Sequence, residues 1–252
     1  MSLDLKQLIP QIQQMSRAIV DRSHALDERI PGLRTAWNQG IQDPGELQMK
    51  IDRAGKNWGG AFPSREPMNV FHPKPQLPEE HISIGADGSQ IYPNRHSQAL
   101  YYLINTGSIL IHHGSGRVPE TSSSPAVHYS EEDLFPGSGG QIDSALINSQ
   151  RDLSEMQELA RLTEKYPGIP TLSLLDNGLL LWIAAQSPNI SRELVDRIVS
   201  AYQEQMLRIK QAGAALAGVI DRPRSPNLVR LLHILRLPVE AVSPDALAAP
   251  EL

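Results

Sequence analysis

Two short apolar runs about 90 residues apart each end in an aspartate: "HISIGADGS" reaches Asp87 and "PTLSLLDNG" reaches Asp176. No other feature restricts the fold as tightly. Runs this brief, bounded by turn-forming residues, read as short buried strands rather than helices. In open α/β sheets ligands gather at the carboxyl ends of strands, so neighbouring strands would bring Asp87 and Asp176 together at one rim. Two close carboxylates repel each other, and one takes up a proton unless a cation neutralises them. Oxygen-only donors favour Mg²⁺ or Mn²⁺ over zinc. Gly88, directly after the first aspartate, would let a substrate backbone approach closely. The competing reading is that Asp-Gly and Asp-Asn-Gly are ordinary turn sequences. The residues leave both open, and the repetition favours a site.

The rest of the chain supplies layers for such a sheet. In the first fifty or so residues, Leu5, Leu8, Ile12, Met15, Ile19 and Val20 recur at three- and four-residue steps, which predicts a helical arm over 1–54 that Pro10 bends or begins. A Pro-rich connection follows over 55–80. From His81 strand patterns take over, and "ALYYLINTGSILIHHG" predicts a hairpin turning at "NTGS". Residues 114–150 are rich in Gly, Ser and Pro and predict a long exposed excursion. Helix 149–166, the strand before Asp176, a helix capped at Ser191, the strand "AALAGVID" and a last short helix complete the pattern. Strands first, then helix and strand in alternation, predict an α/β domain over 81–238 with a mixed sheet, followed by a tail over 239–252.

Composition excludes several classes. The chain has no cysteine, so disulfides and thiolate metal sites are ruled out, as suits a reducing cytoplasm. No apolar run approaches the ~20 residues of a membrane span. The formal charge of −5 neither advertises nor forbids a nucleic-acid partner, because a local basic surface decides that. His112 and His113 are adjacent on a strand and point to opposite faces, so they do not readily share one ion. No phosphate-binding loop and no nucleophile elbow is present.

A third carboxylate would strengthen the metal reading. Glu155 and Glu158 lie on the predicted helix 149–166, and Glu155 borders its inward face, four residues from both Arg151 and Leu159. Glu158 reads as part of a solvated face with Arg161 and Lys165, and spacing alone does not decide between the two glutamates.

In their order and rough spacing, "IGADGSQIYP", "RDLSEMQELARL", "LSLLDNGLLLW" and "AGVIDRPRS" resemble the NurA nuclease domain over about residues 80–236. The resemblance implies a ribonuclease H-like fold and a nuclease that depends on Mn²⁺, with Mg²⁺ as the alternative ion. It implies action as a 5′–3′ exonuclease and single-strand endonuclease in DNA end resection and double-strand break repair. It also implies a homodimer whose channel admits DNA and a HerA-type hexameric ATPase as partner, in the cytoplasm and without a membrane. Carried over residue by residue, Asp87, Glu155 and Asp176 are the metal ligands and catalytic residues; Arg222 and Arg224 fall in the family's RPRS-like segment, where they either hold a phosphate or are solvated surface arginines, and Gly88 and Ser89 are the further candidates for substrate contact. Two departures stand out. Asp-Asn-Gly replaces the usual Asp-Gly-Ser in the second motif, and "VEAVSPDALAAPEL" shows no counterpart of the family's C-terminal Tyr- and His-bearing element. The alternative is therefore a catalytically impaired interaction module that binds the ATPase or DNA.

Overall fold

The computed structural model describes residues 5–56, 58–64, 66–136, 140–181, 190–221 and 225–244. It divides into two units, residues 1–74 with 224–252, and residues 75–223.

The first unit is helical. Helix α1 (Leu5–Gln42) continues through both Pro10 and Pro31, so neither proline ends it. The break comes at Asp43, whose side chain accepts a hydrogen bond from the Glu46 N–H at 2.8 Å and caps α2 (Pro44–Ala54). The end of α1, all of α2 and the helix Asn227–Arg236 share a core of Ala36, Leu47, Ile51, Ala54, Leu231, Ile234 and Leu235. Lys50 is buried there, ion-paired to Glu46 at 2.6 Å and donating to the Leu235 carbonyl at 3.3 Å. A buried ammonium with both partners is tolerated where a lone one is not.

The second unit is a mixed sheet with its helices on one face, the ribonuclease H-like architecture expected. Its strands are β1 (His81–Ile91), β2 (Tyr102–His113), β3 (Glu120–His128), β4 (Thr171–Leu175) and β5 (Ala215–Gly218), in the order β3-β2-β1-β4-β5. β1, β2 and β3 are antiparallel neighbours, while β4 lies parallel to β1 and β5 parallel to β4. Between them run the one-turn helix α3 (Glu131–Leu134), then α4 (Ser144–Thr163) and α5 (Arg192–Gln211). Period-two burial fixes which side of the sheet meets the helices. Ile82, Ile84 and Ala86 of β1, Leu110 of β2 and Leu175 of β4 pack on Met156, Leu159 and Ala160 of α4 and Tyr202 and Ile209 of α5. Residues between them in sequence face the other way.

Three sequence expectations change. β2 is one continuous strand of twelve residues rather than a hairpin turning at "NTGS". Thr106 is buried in register with Tyr102, Ile104 and Leu110, so the alternation passes straight through those four residues. Residues 114–150 are no bare excursion: they contain β3, α3 and the first turns of α4. Helix α4 begins at Ser144, five residues before the predicted start, because Asp143 caps it by accepting from the Leu146 N–H at 2.8 Å. The cap expected at Ser191 is present, receiving the Leu194 N–H. No helix among the described residues is long and apolar enough to cross a membrane.

Candidate metal centre

Asp87 does not sit past the end of its strand. It lies inside β1, paired with Gly107 of β2, and the strand continues four residues further. Asp176 does follow its strand directly, since β4 stops at Leu175. The parallel register pairs Ala86 with Leu175, so Asp87 and Asp176 are the next residues along neighbouring chains. By the alternation of β1, Asp87 falls on the face opposite α4 and α5. Together with Gly85, Gly107, Ile109, Leu174 and Val219, Asp87 and Asp176 line one open cleft of about 450 Å³. The convergence read from the two runs therefore holds, on the open face of the sheet.

The turn after Asp176 is tightly built. Asn177 Oδ1 accepts from the Gly178 N–H at 2.8 Å, and the Leu175 carbonyl accepts from both Asn177 and Val219. The Asn177 carbonyl presses against β5, where a Cβ on Gly218 would lie 2.4 Å from it. Asn-Gly in place of Gly-Ser thus keeps the carboxylate where the rim needs it.

Glu155 approaches from the helix side. It is 2% exposed, and the Gly88 N–H donates to it. A Cβ on Gly88 would lie 2.6 Å from Glu155 Oε1 and 2.5 Å from Arg151 Cγ. The glycine after Asp87 thus makes room for the α4 side chains. Burial pushes the Glu155 carboxyl up to about 7, against the pull of the Arg151 guanidinium, and the charges of Asp152 and Asp87 add to the rise. Arg151 Nε stands 3.2 Å from Glu155 Oε1, an ion pair without a hydrogen bond. The same guanidinium donates to Gln90 at 3.1 Å and Asp152 at 2.7 Å. Sequence reasoning missed Asp152 and Gln90. Gln90 lies two residues past Gly88, hence on the same strand face, which is the signal that could have found it.

Glu158 is not on a solvated face. It accepts from Arg161 at 2.7 Å, from Ser108 at 2.8 Å and from Ser122 at 3.1 Å, ties, Arg161 foremost, that hold its carboxyl below the usual range against the opposing effect of burial. It braces α4 against β2 and β3, one helical turn from Glu155, through Ser108, which itself lines the cleft. Ser89 is exposed in β1 and shares the open face with Asp87. Arg222 and Arg224 lie outside the described residues.

The donor chemistry suits a hard divalent cation. The cleft's titratable side chains are two carboxylates, and neither His nor Cys lines it. A buried carboxyl as strained toward protonation as Glu155 is also what a nearby cation would relieve. Among the described residues, however, no group of three His, Cys, Asp or Glu is drawn into ligating positions. The structure brings Asp87 and Asp176 together and keeps Glu155 behind them with Arg151.

The NurA domain profile matches residues 81–249, two thirds of the sequence. The chain belongs to the NurA family. Similar solved structures include a NurA bound to dAMP and manganese, at 14% identity and a TM-score of 0.35, covering 85% of this chain and 43% of that one. The NurA nuclease from Sulfolobus solfataricus matches at 12% identity and a TM-score of 0.36, covering 87% and 67%. A ribonuclease H1 crystallised with an RNA/DNA hybrid matches at 13% identity and a TM-score of 0.28, covering 59% and 89%. The chain thus spans less than half the length of the first of these NurA proteins. No curated protein matches the sequence.

Proposed function

We propose that this NurA-family chain is a divalent-cation-dependent deoxyribonuclease that hydrolyses phosphodiester bonds at the cleft between β1 and β4. One observation carries the reading: Asp87 inside β1 and Asp176 directly after β4 line one open cleft in a chain of the NurA family. Mn²⁺ is the proposed ion and Mg²⁺ the substitute. When bound, such an ion supplies Lewis-acid activation of water and neutralises charge on the scissile phosphate. Asp87 and Asp176 would hold it through oxygen donors, and Glu155 would join the set only on releasing Arg151, with which it is paired on the α4 side. Gly88 fixes how near α4 comes to β1, while Ser89 offers a hydroxyl beside Asp87 on the substrate side. Arg222 and Arg224 would hold backbone phosphates as charge-assisted donors.

At the finer level the proposal is 5′–3′ exonuclease and single-strand endonuclease action in end resection for double-strand break repair. It includes homodimerisation, a HerA-type hexameric ATPase as partner and a cytoplasmic location. The second reading, an interaction module without catalysis, draws on the Arg151–Glu155 pair, which occupies the carboxyl that a metal would need.

The test is cleavage of end-labelled single- and double-stranded DNA with Mn²⁺, Mg²⁺ or chelator. Asp87→Ala is expected to lower the Mn²⁺-dependent rate by ~100-fold or more, since even outer-shell losses at metal sites cost 10–100-fold. Because Asp87 is exposed, the variant should keep its stability within ~0.5 kcal/mol. Undiminished cleavage by Asp87→Ala would discard the site. DNA or ATPase binding by a wild-type chain that never cleaves would favour the second reading.

A further inference from the structure

One stripe of α4 is polar although it runs along β1. Asn148, Arg151 and Glu155 follow one another at three- and four-residue steps, so they share a helix face. Gly88 and Gln90 alternate toward that stripe from β1. The bare Cα of Gly88 lets the Arg151 stem lie against the strand. At its far end the Arg151 guanidinium is gripped from two sides: Nη1 donates to Gln90 Oε1 at 3.1 Å and Nη2 to Asp152 Oδ1 at 2.7 Å. Gln90 is itself oriented. Its Nε2 donates to the Tyr92 hydroxyl oxygen at 2.8 Å and to Asn148 Oδ1 at 3.3 Å, and the Tyr92 hydroxyl closes the ring by donating to Asn148 Oδ1 at 2.7 Å. The third guanidinium nitrogen, Nε, is buried 3.2 Å from Glu155 Oε1, yet it has no hydrogen-bond partner among the described residues.

A buried N–H without an acceptor is uncommon and costly, so something holds the fork aside. An unconstrained guanidinium meets a carboxylate through two parallel N–H···O bonds. Here the grip of Gln90 and Asp152 prevents that. We infer, resting on the cation reading above, that Gln90 is a positioning residue for Glu155. Seated on Tyr92 and Asn148, it turns the Arg151 fork so that Arg151 balances the Glu155 charge without hydrogen-bonding the carboxylate, which stays open to a divalent cation. When Glu155 turns to an ion, Arg151 keeps both of its hydrogen bonds and gives up only a Coulombic contact. Arg151 still opposes the ion, as a like charge beside the same carboxylate. Without Gln90 the fork is released on one side and closes on Glu155, tying the carboxylate back to α4.

Mn²⁺ binding, followed as loss of the electron paramagnetic resonance signal of the aqueous ion when the intact chain is titrated in, reads this without any cleavage. Arg151→Met should tighten binding by about tenfold and Gln90→Leu should weaken it by about tenfold, the low end of what residues around metal ligands contribute. Because Gln90 acts through Arg151, the double variant should bind like Arg151→Met rather than at the sum of the two effects. Gln90→Glu keeps an acceptor for Arg151 and should bind at least as tightly as wild type, which gives a second check should Arg151→Met fail to fold. Weaker binding in both Arg151→Met and Gln90→Leu is what a mere brace between β1 and α4 would give, and it overturns the inference. Equal weakening by Gln90→Leu and Gln90→Glu overturns it too. Asp87→Ala tells the two levels apart. Absent binding, or binding that Asp87→Ala leaves unchanged, discards the metal centre and this inference together; Asp87-dependent binding that neither Arg151→Met nor Gln90→Leu moves discards the inference alone.

Discussion

A methyl group at position 88 would lie 2.5 Å from Arg151 Cγ and 2.6 Å from Glu155 Oε1, closer than carbon and oxygen atoms approach without displacement. Gly85, three residues earlier in the same strand, has room: its Cβ would meet Ile109 Cγ2 at 3.5 Å, an ordinary contact. The two glycines therefore give opposite expectations for one chemical change. Gly88→Ala should destabilise the protein by about 1–3 kcal/mol, the usual cost of overpacking. Gly85→Ala should be neutral or slightly stabilising, because it restricts the unfolded chain without a clash. Urea denaturation of the two variants side by side checks this. Gly88→Ala should also displace Glu155, so its loss of Mn²⁺-dependent cleavage should exceed that of Gly85→Ala.

At the scale of elements, Glu120 ties the start of β3 to the end of α4. Its carboxylate accepts from Lys165 at 2.7 Å and from the Tyr166 hydroxyl at 2.5 Å, and it lies 3.1 Å from His112 Nε2 of β2. These partners, Lys165 foremost, lower its carboxyl from the ordinary 4.5 to about 2. The folded state thus binds the proton more weakly than the unfolded chain does. Its contribution is present above about pH 4.5 and is lost as pH falls toward 2. Glu120→Gln should lose less stability than wild type between pH 5 and pH 3, measured as denaturation midpoints at the two values. The same region shows why some elements were legible and others not. β1, β4 and α4 announce themselves through apolar periodicity that packing then uses, and the two aspartates follow from their strands. β3 hides because its sequence, "ETSSSPAVH", is that of a polar strand exposed on its edge, where serines and a proline resemble a loop. β2 was misread because Gly107 looks like a turn, yet it serves as the bare partner opposite Asp87. The roles of Glu158 and Arg151 depend on contacts across 36 to 61 residues, which local spacing does not carry.

For the whole molecule, each unit has its own buried cluster. Leu159 is fully buried in the sheet unit and Ile234 fully buried in the helical unit. Truncating either to alanine should cost about 2–5 kcal/mol. Leu159→Ala is expected to lower the unfolding transition of the sheet unit, and Ile234→Ala that of the helical unit, with additive effects in the double variant. Residue-resolved hydrogen exchange would separate the two; a uniform loss of protection throughout the chain from either single change would refute the independence of the cores. The outermost strand β3 carries one more consequence. Pro125 lacks an N–H, and the serines around it offer no apolar surface for a sister sheet. A free border of this kind is a poor template for adding further strands, which disfavours edge-to-edge association through β3.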